Sequence, residues 1–269
     1  KAEVWLSSHN IGAGAKPFFL WAHYMDIHEP YIPARKYLDL VDPSLDLTEG
    51  EMLSLFREVV LPRTTSDPEK VETLRRLYRA HVREADDYVK DFFYVLERLN
   101  LLKDSTIIIT SDHGDEFNEH GGLSHDDKMY SELIDVPLLI YEPEREEGEV
   151  CTSLVSNIDI PPTIIHLFGL EPVQEYEGRS LLPTTGYEER GCYGEAFFQV
   201  KGKGADTERD VYFYREGDLK IIYRPRSDAW ELYDLKNDPE ELRNIIDTSS
   251  AADSLKKRIL PRVRRWEKG

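Results

Sequence analysis

Between residues 66 and 99, apolar side chains recur at spacings of three and four: Val71, Leu74, Tyr78, Val82, Ala85, Val89, Phe92, Leu96 and Leu99. Such a stripe is one face of a long amphipathic helix. Its start is written just ahead, in Ser66-Asp-Pro-Glu69, where capping side chains flank a proline suited to the first turn. After Asn100 the period breaks, and "STIIIT" supplies a β-branched run of the kind that fills a central parallel strand. A long helix that delivers the chain into a buried strand points to an α/β layer.

The flanking segments extend that layer. Residues 18–24, "FFLWAHY", form a continuous apolar run of buried-strand type, with His23 inside it as a structural histidine. In the following "MDIHEPYIP", Pro30 and Pro33 force an extended loop. Thr48-x-x-Glu51 reads as a capping box opening a short helix with Leu53, Phe56 and Val60 on one side. Residues 136–143 form another buried strand, and Asp159-Ile-Pro-Pro-Thr163 caps a helix that ends at Gly169. From about Gly191 the texture changes to hairpins. "VYFYREGDLKIIYR" reads as two strands about a Glu-Gly-Asp turn, "AWELYDL" as a third strand and "NDPEEL" as the start of a helix. Residues 251–266 read as a basic, solvated terminal helix. The expected organisation is an α/β layer with a mostly parallel sheet over residues 1–185, then a small antiparallel sheet with a terminal helix over residues 186–269.

Composition narrows the partners. Fifty-two acidic residues against 34 basic ones give a formal net charge of −18, which repels a phosphate backbone and argues against a nucleic-acid ligand. No apolar run is long enough to span a bilayer. Cys151 and Cys192 are too few for a disulfide framework and are not spaced as a zinc motif. Low cysteine use leans toward a cytoplasmic setting, while oligomeric state is left open.

The chemistry concentrates in "ITSDHGDEFNEHGG", residues 109–122, at the carboxyl end of the predicted central strand. In open α/β sheets ligands bind at that end. A carboxylate from Asp112 and an imidazole from His113 are sensible ligands for a divalent cation, and Gly114 lets the backbone turn so that both reach one ion. The competing reading is a strand-end turn with solvated acids. His28 follows the 18–24 run and His125 lies on the glycine-flexed loop "GGLSHDDKMY", so both are expected on the same rim, suited to an anion held beside a cation. Taken alone, His28 reads rather as a loop histidine capped by a carbonyl. Glu119 and His120 read as loop surface or as supports of the site. Asp86 and Asp87 read as helix-surface or capping groups.

These segments, in the order "FFLWAHYMDIHEPYIP", "YRAHVREADDYVKDFFYVLERL", "STIIITSDHGDEFNEHGGLSH", "MYSELIDVPLLIY", "NIDIPPTIIHLFGL" and "ELYDLKNDPEELRNI", resemble the sulfatase family of the alkaline-phosphatase-like superfamily over nearly the whole chain. The resemblance implies an alkaline-phosphatase-like sandwich and hydrolysis of a sulfate ester, of a small molecule or a glycan, with one divalent metal ion. That ion is calcium in most members and manganese or magnesium in some relatives. It implies that Asp112 and His113 are two of the metal ligands. His28 and His125 would be catalytic, contacting the oxygens of the transferred group, with one of them protonating the leaving alkoxide. Lys128, slightly displaced from the family's usual lysine, would be a further substrate-binding cation.

Several features depart from the family pattern. Many arylsulfatases carry Asp-Asn where this chain has Asp112-His113, a form that resembles phosphonate and phosphate ester hydrolases. The nucleophile motif, Cys or Ser followed by x-Pro-x-Arg, is absent, and neither Cys151 nor Cys192 has its proline and arginine. The paired N-terminal aspartates of the metal site are absent too. The expectation is therefore a C-terminal portion that retains half of the active site, with its formylglycine in a missing N-terminal portion and negligible turnover from these residues alone. The competing readings are a phosphatase, phosphodiesterase or phosphonate ester hydrolase of the same superfamily, in which Asp26, His28 and His125 build a second metal site, and a non-catalytic binding module.

Overall fold

The computed structural model describes residues 2–9, 11, 16–62, 67–125, 128–182, 190–196 and 210–266. Ser66 and the expected boundary at residues 185–186 lie outside them. The chain divides into two compact units that interleave along the sequence. One comprises Lys1–Ile109, Asp115–Ser124 and Pro137–Gly148; the other Thr110–Gly114, His125–Val136 and Glu149–Gly269.

The first unit is built on the long helix. Its helices are α1 (Ala2–Ser8), α2 (Arg35–Val41), α3 (Glu49–Leu55) and α4 (Pro68–Arg98). The capping box of α3 is formed as expected, with Thr48 and Glu51 each accepting the other's backbone N–H. For α4 the cap is Asp67, whose carboxylate accepts the N–H groups of Glu69 and Lys70 ahead of Pro68. Val71, Leu74 and Leu77 of α4 pack with Tyr37 and Leu38 of α2 and with Met52, Val59, Val60, Phe117 and Leu123 to form the core. The apolar stripe is not pure: Val82 is 39% exposed, whereas Glu84 on the same helix is buried. Glu84 is tolerated inside because it accepts from the Ala34 N–H and the Tyr88 hydroxyl.

Strand β1 (Ile107–Thr110) follows α4, and pairs with β4 (Leu138–Tyr141) in a two-stranded sheet. Between them in sequence, β2 (Glu116–Phe117) and β3 (Leu123–Ser124) form a small antiparallel hairpin. Leu139 is 56% exposed and the other residues of β4 are only partly buried, so the segment read as a buried strand is not fully covered. Residues 18–24 are a clearer correction. They join no sheet among the described residues: Phe18 and Leu20 rest on a cluster with Leu6, Leu96 and Leu101, while Phe19 and all of residues 21–24 are exposed. His23 is accordingly an exposed side chain beside the Trp21 ring, not a structural core histidine.

The second unit contains α5 (Ser131–Ile134), α6 (Ile160–Leu167), strands β5 (Cys192–Ala196), β6 (Val211–Glu216), β7 (Leu219–Arg224) and β8 (Ala229–Asp234), and α7 (Ala252–Trp266). The four strands form one antiparallel sheet in sequence order. Gly217, at φ +57°, makes the tight turn between β6 and β7, where Glu216 pairs with Leu219. Leu255, Ile259 and Val263 of α7 bury against Tyr212, Tyr214, Ile221 and Leu232 of the sheet. "NDPEEL" is not a helix. Asp238 accepts the N–H groups of Leu242 and Arg243, a local bonding pattern that competes with helical turns, and Glu241 at φ +53° sends its side chain into the interior. Among the described residues no helix is long and apolar enough to cross a membrane.

Candidate active site

At the carboxyl end of β1 the backbone leaves the strand through Ser111, Asp112, His113 and Gly114, and each step of that exit is pinned. Asn157 bridges it, accepting from the Thr110 hydroxyl at 3.0 Å and donating to the Ser111 carbonyl at 2.8 Å. The Ser111 hydroxyl donates to the His113 carbonyl at 2.6 Å. The Gly114 N–H donates to the Leu133 carbonyl at 2.8 Å. Only glycine fits there: a Cβ on Gly114 would lie 2.1 Å from the Glu132 carbonyl oxygen.

This frame orients the His113 ring. Its Nδ1 lies 2.9 Å from the Gly114 carbonyl, which can only accept, so Nδ1 carries a proton and donates. Nε2 is 3.9 Å from the exposed carboxylate of Asp112, whose other oxygen accepts the His113 N–H at 3.1 Å. The His125 ring stacks on that of His113, with centroids 4.1 Å apart and planes 26° apart. Each of the two histidines offers a ring nitrogen within 4.8 Å of the other's. The His113 ring, oriented by a carbonyl, offers an imidazole nitrogen suited to a divalent cation, whereas the Asp112 carboxylate reaches toward that ring without also converging on His125. The backbone of the Asp112–His113 turn is thus braced, while the Asp112 carboxylate itself is exposed. Lys128 is half-buried and immediately precedes Met129, which is packed against Val211, Ile222 and Tyr233.

The first unit holds His28 and the remaining acids. His28 Nδ1 donates to the Glu29 carbonyl at 2.8 Å, the carbonyl cap expected of a loop histidine. Both Glu29 carboxylate oxygens accept from the Ser124 hydroxyl at 2.8 Å. Asp115 accepts from the Tyr31 hydroxyl at 2.8 Å, and burial, reinforced by that carboxylate, pushes the Tyr31 phenol far above its ordinary range, so it remains a donor. Glu119 pairs with Arg75 and serves the hairpin. Glu116, by sequence only one of several loop or supporting acids, has a definite structural role. It is buried, and a single oxygen accepts the N–H groups of His120 and Gly122, closing the loop between β2 and β3. Nothing in "GDEFNEHGG" singles out Glu116 from its acidic neighbours; only the hairpin register turns it inward. Asp87 accepts from Tyr37 and Arg83, the helix-surface contact expected of it.

Comparison with known proteins decides the family. The sulfatase family model matches residues 2–170, and the model of the N-sulphoglucosamine sulphohydrolase C-terminal region matches residues 118–268. The chain belongs to the sulfatase family. The choline-sulfatase of Rhizobium meliloti is 30% identical over 264 residues, covering 90% of this chain and 49% of that protein. The N-acetylglucosamine-6-O-sulfatase of Bacteroides thetaiotaomicron is 30% identical over 195 residues, covering 70% of this chain and 34% of that protein. Among solved structures, the phosphonate monoester hydrolase of Agrobacterium radiobacter superposes with a TM-score of 0.76 at 19% identity, covering 99% of this chain and 58% of that one. That likeness establishes the alkaline-phosphatase-like α/β fold. This sulfatase-family chain spans about half the length of the choline-sulfatase, and less of the other curated relative.

Proposed function

We propose that this chain is the C-terminal part of a metal-dependent sulfuric ester hydrolase. The observation that carries the reading is the braced Asp112–His113 turn with the His125 ring stacked on it, in a chain matched by the sulfatase family model. Asp112 supplies a charged oxygen and His113 its Nε2 lone pair to the metal, for which calcium is the first candidate and manganese or magnesium the alternatives. When bound, such an ion draws negative charge off the ester oxygens. His125 and Lys128 add positive charge beside that group, and His125 holds a proton at a ring nitrogen for the leaving alkoxide. His28 receives the companion oxygen-binding role on the strength of its place in "MDIHEPY", and its Nδ1–H bond to Glu29 orients the ring. Neither cysteine is assigned as nucleophile: Cys192 is buried and Cys151 lies outside the family motif. A formylglycine from the rest of the polypeptide is the proposed nucleophile. The substrate is proposed to be a sulfate ester of a small molecule or a glycan, as the names of the curated relatives indicate for those proteins.

The Asp112-His113 sequence also supports a second reading, a phosphonate ester hydrolase. Steady-state hydrolysis of an aryl sulfate and of an aryl phosphonate by the full-length polypeptide separates the two. The sulfate ester is expected to have the larger kcat/KM, by at least about tenfold, equivalent to about 1.4 kcal/mol of transition-state binding. A preference of that size for the phosphonate ester would replace the first reading with the second.

A further inference from the structure

Lys220 and Glu241 form an ion pair with side chains 1% and 0% exposed, in a region where neither carries out the chemistry described above. The Nζ of Lys220 lies 2.7 Å from one Glu241 oxygen and 2.9 Å from the other. Burial pulls the Lys220 pKa down and the Glu241 charge pushes it back up, so this pair is an expensive feature to keep inside a protein. Its second function is visible in what else it touches. Glu241 Oε2 accepts the Ser131 N–H at 2.6 Å, and Lys220 Nζ lies 3.3 Å from the Ser131 hydroxyl. Next to Ser131, the Tyr130 hydroxyl donates to Glu231 at 2.7 Å, and Met129 is packed against β6–β8. Three consecutive residues are therefore bolted to the C-terminal sheet. The next two, Glu132 and Leu133, supply the carbonyls that Gly114 abuts and bonds.

We propose that Lys220 and Glu241 are positioning residues, which hold residues 128–134 so that the Gly114 contact sets His113 against His125. The proposal rests on the reading of Asp112, His113 and His125 as the active site. The C-terminal sheet would then act on the site through the Glu241–Ser131–Leu133–Gly114 chain of contacts, without touching a ligand.

The test compares wild type, Lys220→Met/Glu241→Met and Lys220→Met/Glu241→Gln in the full chain, free of added metal. An apolar pair in place of a buried ion pair is commonly neutral or stabilising, so the first double variant is expected to keep a cooperative melt. Its Ser131–Ile134 amides should exchange at least about tenfold faster while β6–β8 stay protected. The ring NMR signals of His113 and His125, shifted by their mutual stacking, should move. The second variant has a Gln oxygen for the Ser131 N–H and no unpaired buried charge, and it should return the rings to wild-type shifts. Unchanged ring signals in the first variant would overturn the proposal, as would failure of the Gln oxygen to restore them. Exchange rising equally across the sheet, or loss of the cooperative melt, would also overturn it by assigning the pair to overall stability. Because these readouts need no metal and no substrate, displaced rings in a protein that hydrolyses no ester would support the positioning link and refute the enzymatic reading alone.

Discussion

At Gly114 there is no room for a methyl group, because the Glu132 carbonyl oxygen would lie 2.1 Å from it. The obstacle is backbone, held by α5, so it cannot swing aside as a side chain would. Gly114→Ala is expected to destabilise the protein by about 1–3 kcal/mol, as overpacking does, and a urea melt measures it. A melt within error of wild type would show that the turn yields freely. A second residue-scale expectation concerns His81, which is buried on α4. Burial lowers its pKa below the ordinary 6.5, outweighing the upward pull of Glu84 and Asp26. The unfolded chain then binds the proton more readily than the folded one. His81 therefore contributes its full stability above pH 6.5, and that stability is lost as pH falls through the lower folded value. Unfolding free energies measured between pH 7 and pH 5 should fall with acid, and His81→Leu should flatten the slope; equal slopes would refute the assignment.

Among the elements, α4 and the C-terminal hairpins were legible because their signals are local. Asp67 and Pro68 mark a helix start by their own chemistry, and Asp67→Ala is expected to cost about 1 kcal/mol in a thermal melt. A cost near zero would mean that packing alone fixes the helix end. The Glu216-Gly217-Asp218 turn was similarly readable, since its glycine has the left-handed conformation that the tight turn requires. The failures were elements whose state depends on distant partners. Residues 18–24 read as a buried strand because every side chain is apolar or aromatic apart from His23, yet a strand also needs a neighbour to accept its N–H groups. "NDPEEL" has a helix start by composition. What overrides it is Glu241, drawn inward by Lys220 from the hairpin before it. On α7, Ile259→Ala should cost about 2–5 kcal/mol, because that side chain is buried in the sheet-facing cluster.

For the molecule as a whole, the α/β plan, the antiparallel C-terminal sheet and its closing helix could be read from periodicity, and the sulfatase family from motif order. Less of the site was readable in this way. Asp112 and His113 stood out because adjacent metal-capable side chains follow a strand, and His125 because its loop is glycine-flexed. Asn157, Lys220 and Glu241 gave no such sign, because the partners that define their roles lie 46, 89 and 110 residues away in sequence. A linear pattern records which side chains can do chemistry better than it records which ones hold them still. If Asp112 and His113 hold a divalent cation, calorimetric titration of calcium into the metal-stripped full-length polypeptide should register it. Saturable binding is expected, weakened at least about tenfold in both Asp112→Asn and His113→Ala relative to wild type. Binding that is absent from the wild type, or is as tight in both variants as in the wild type, would contradict it.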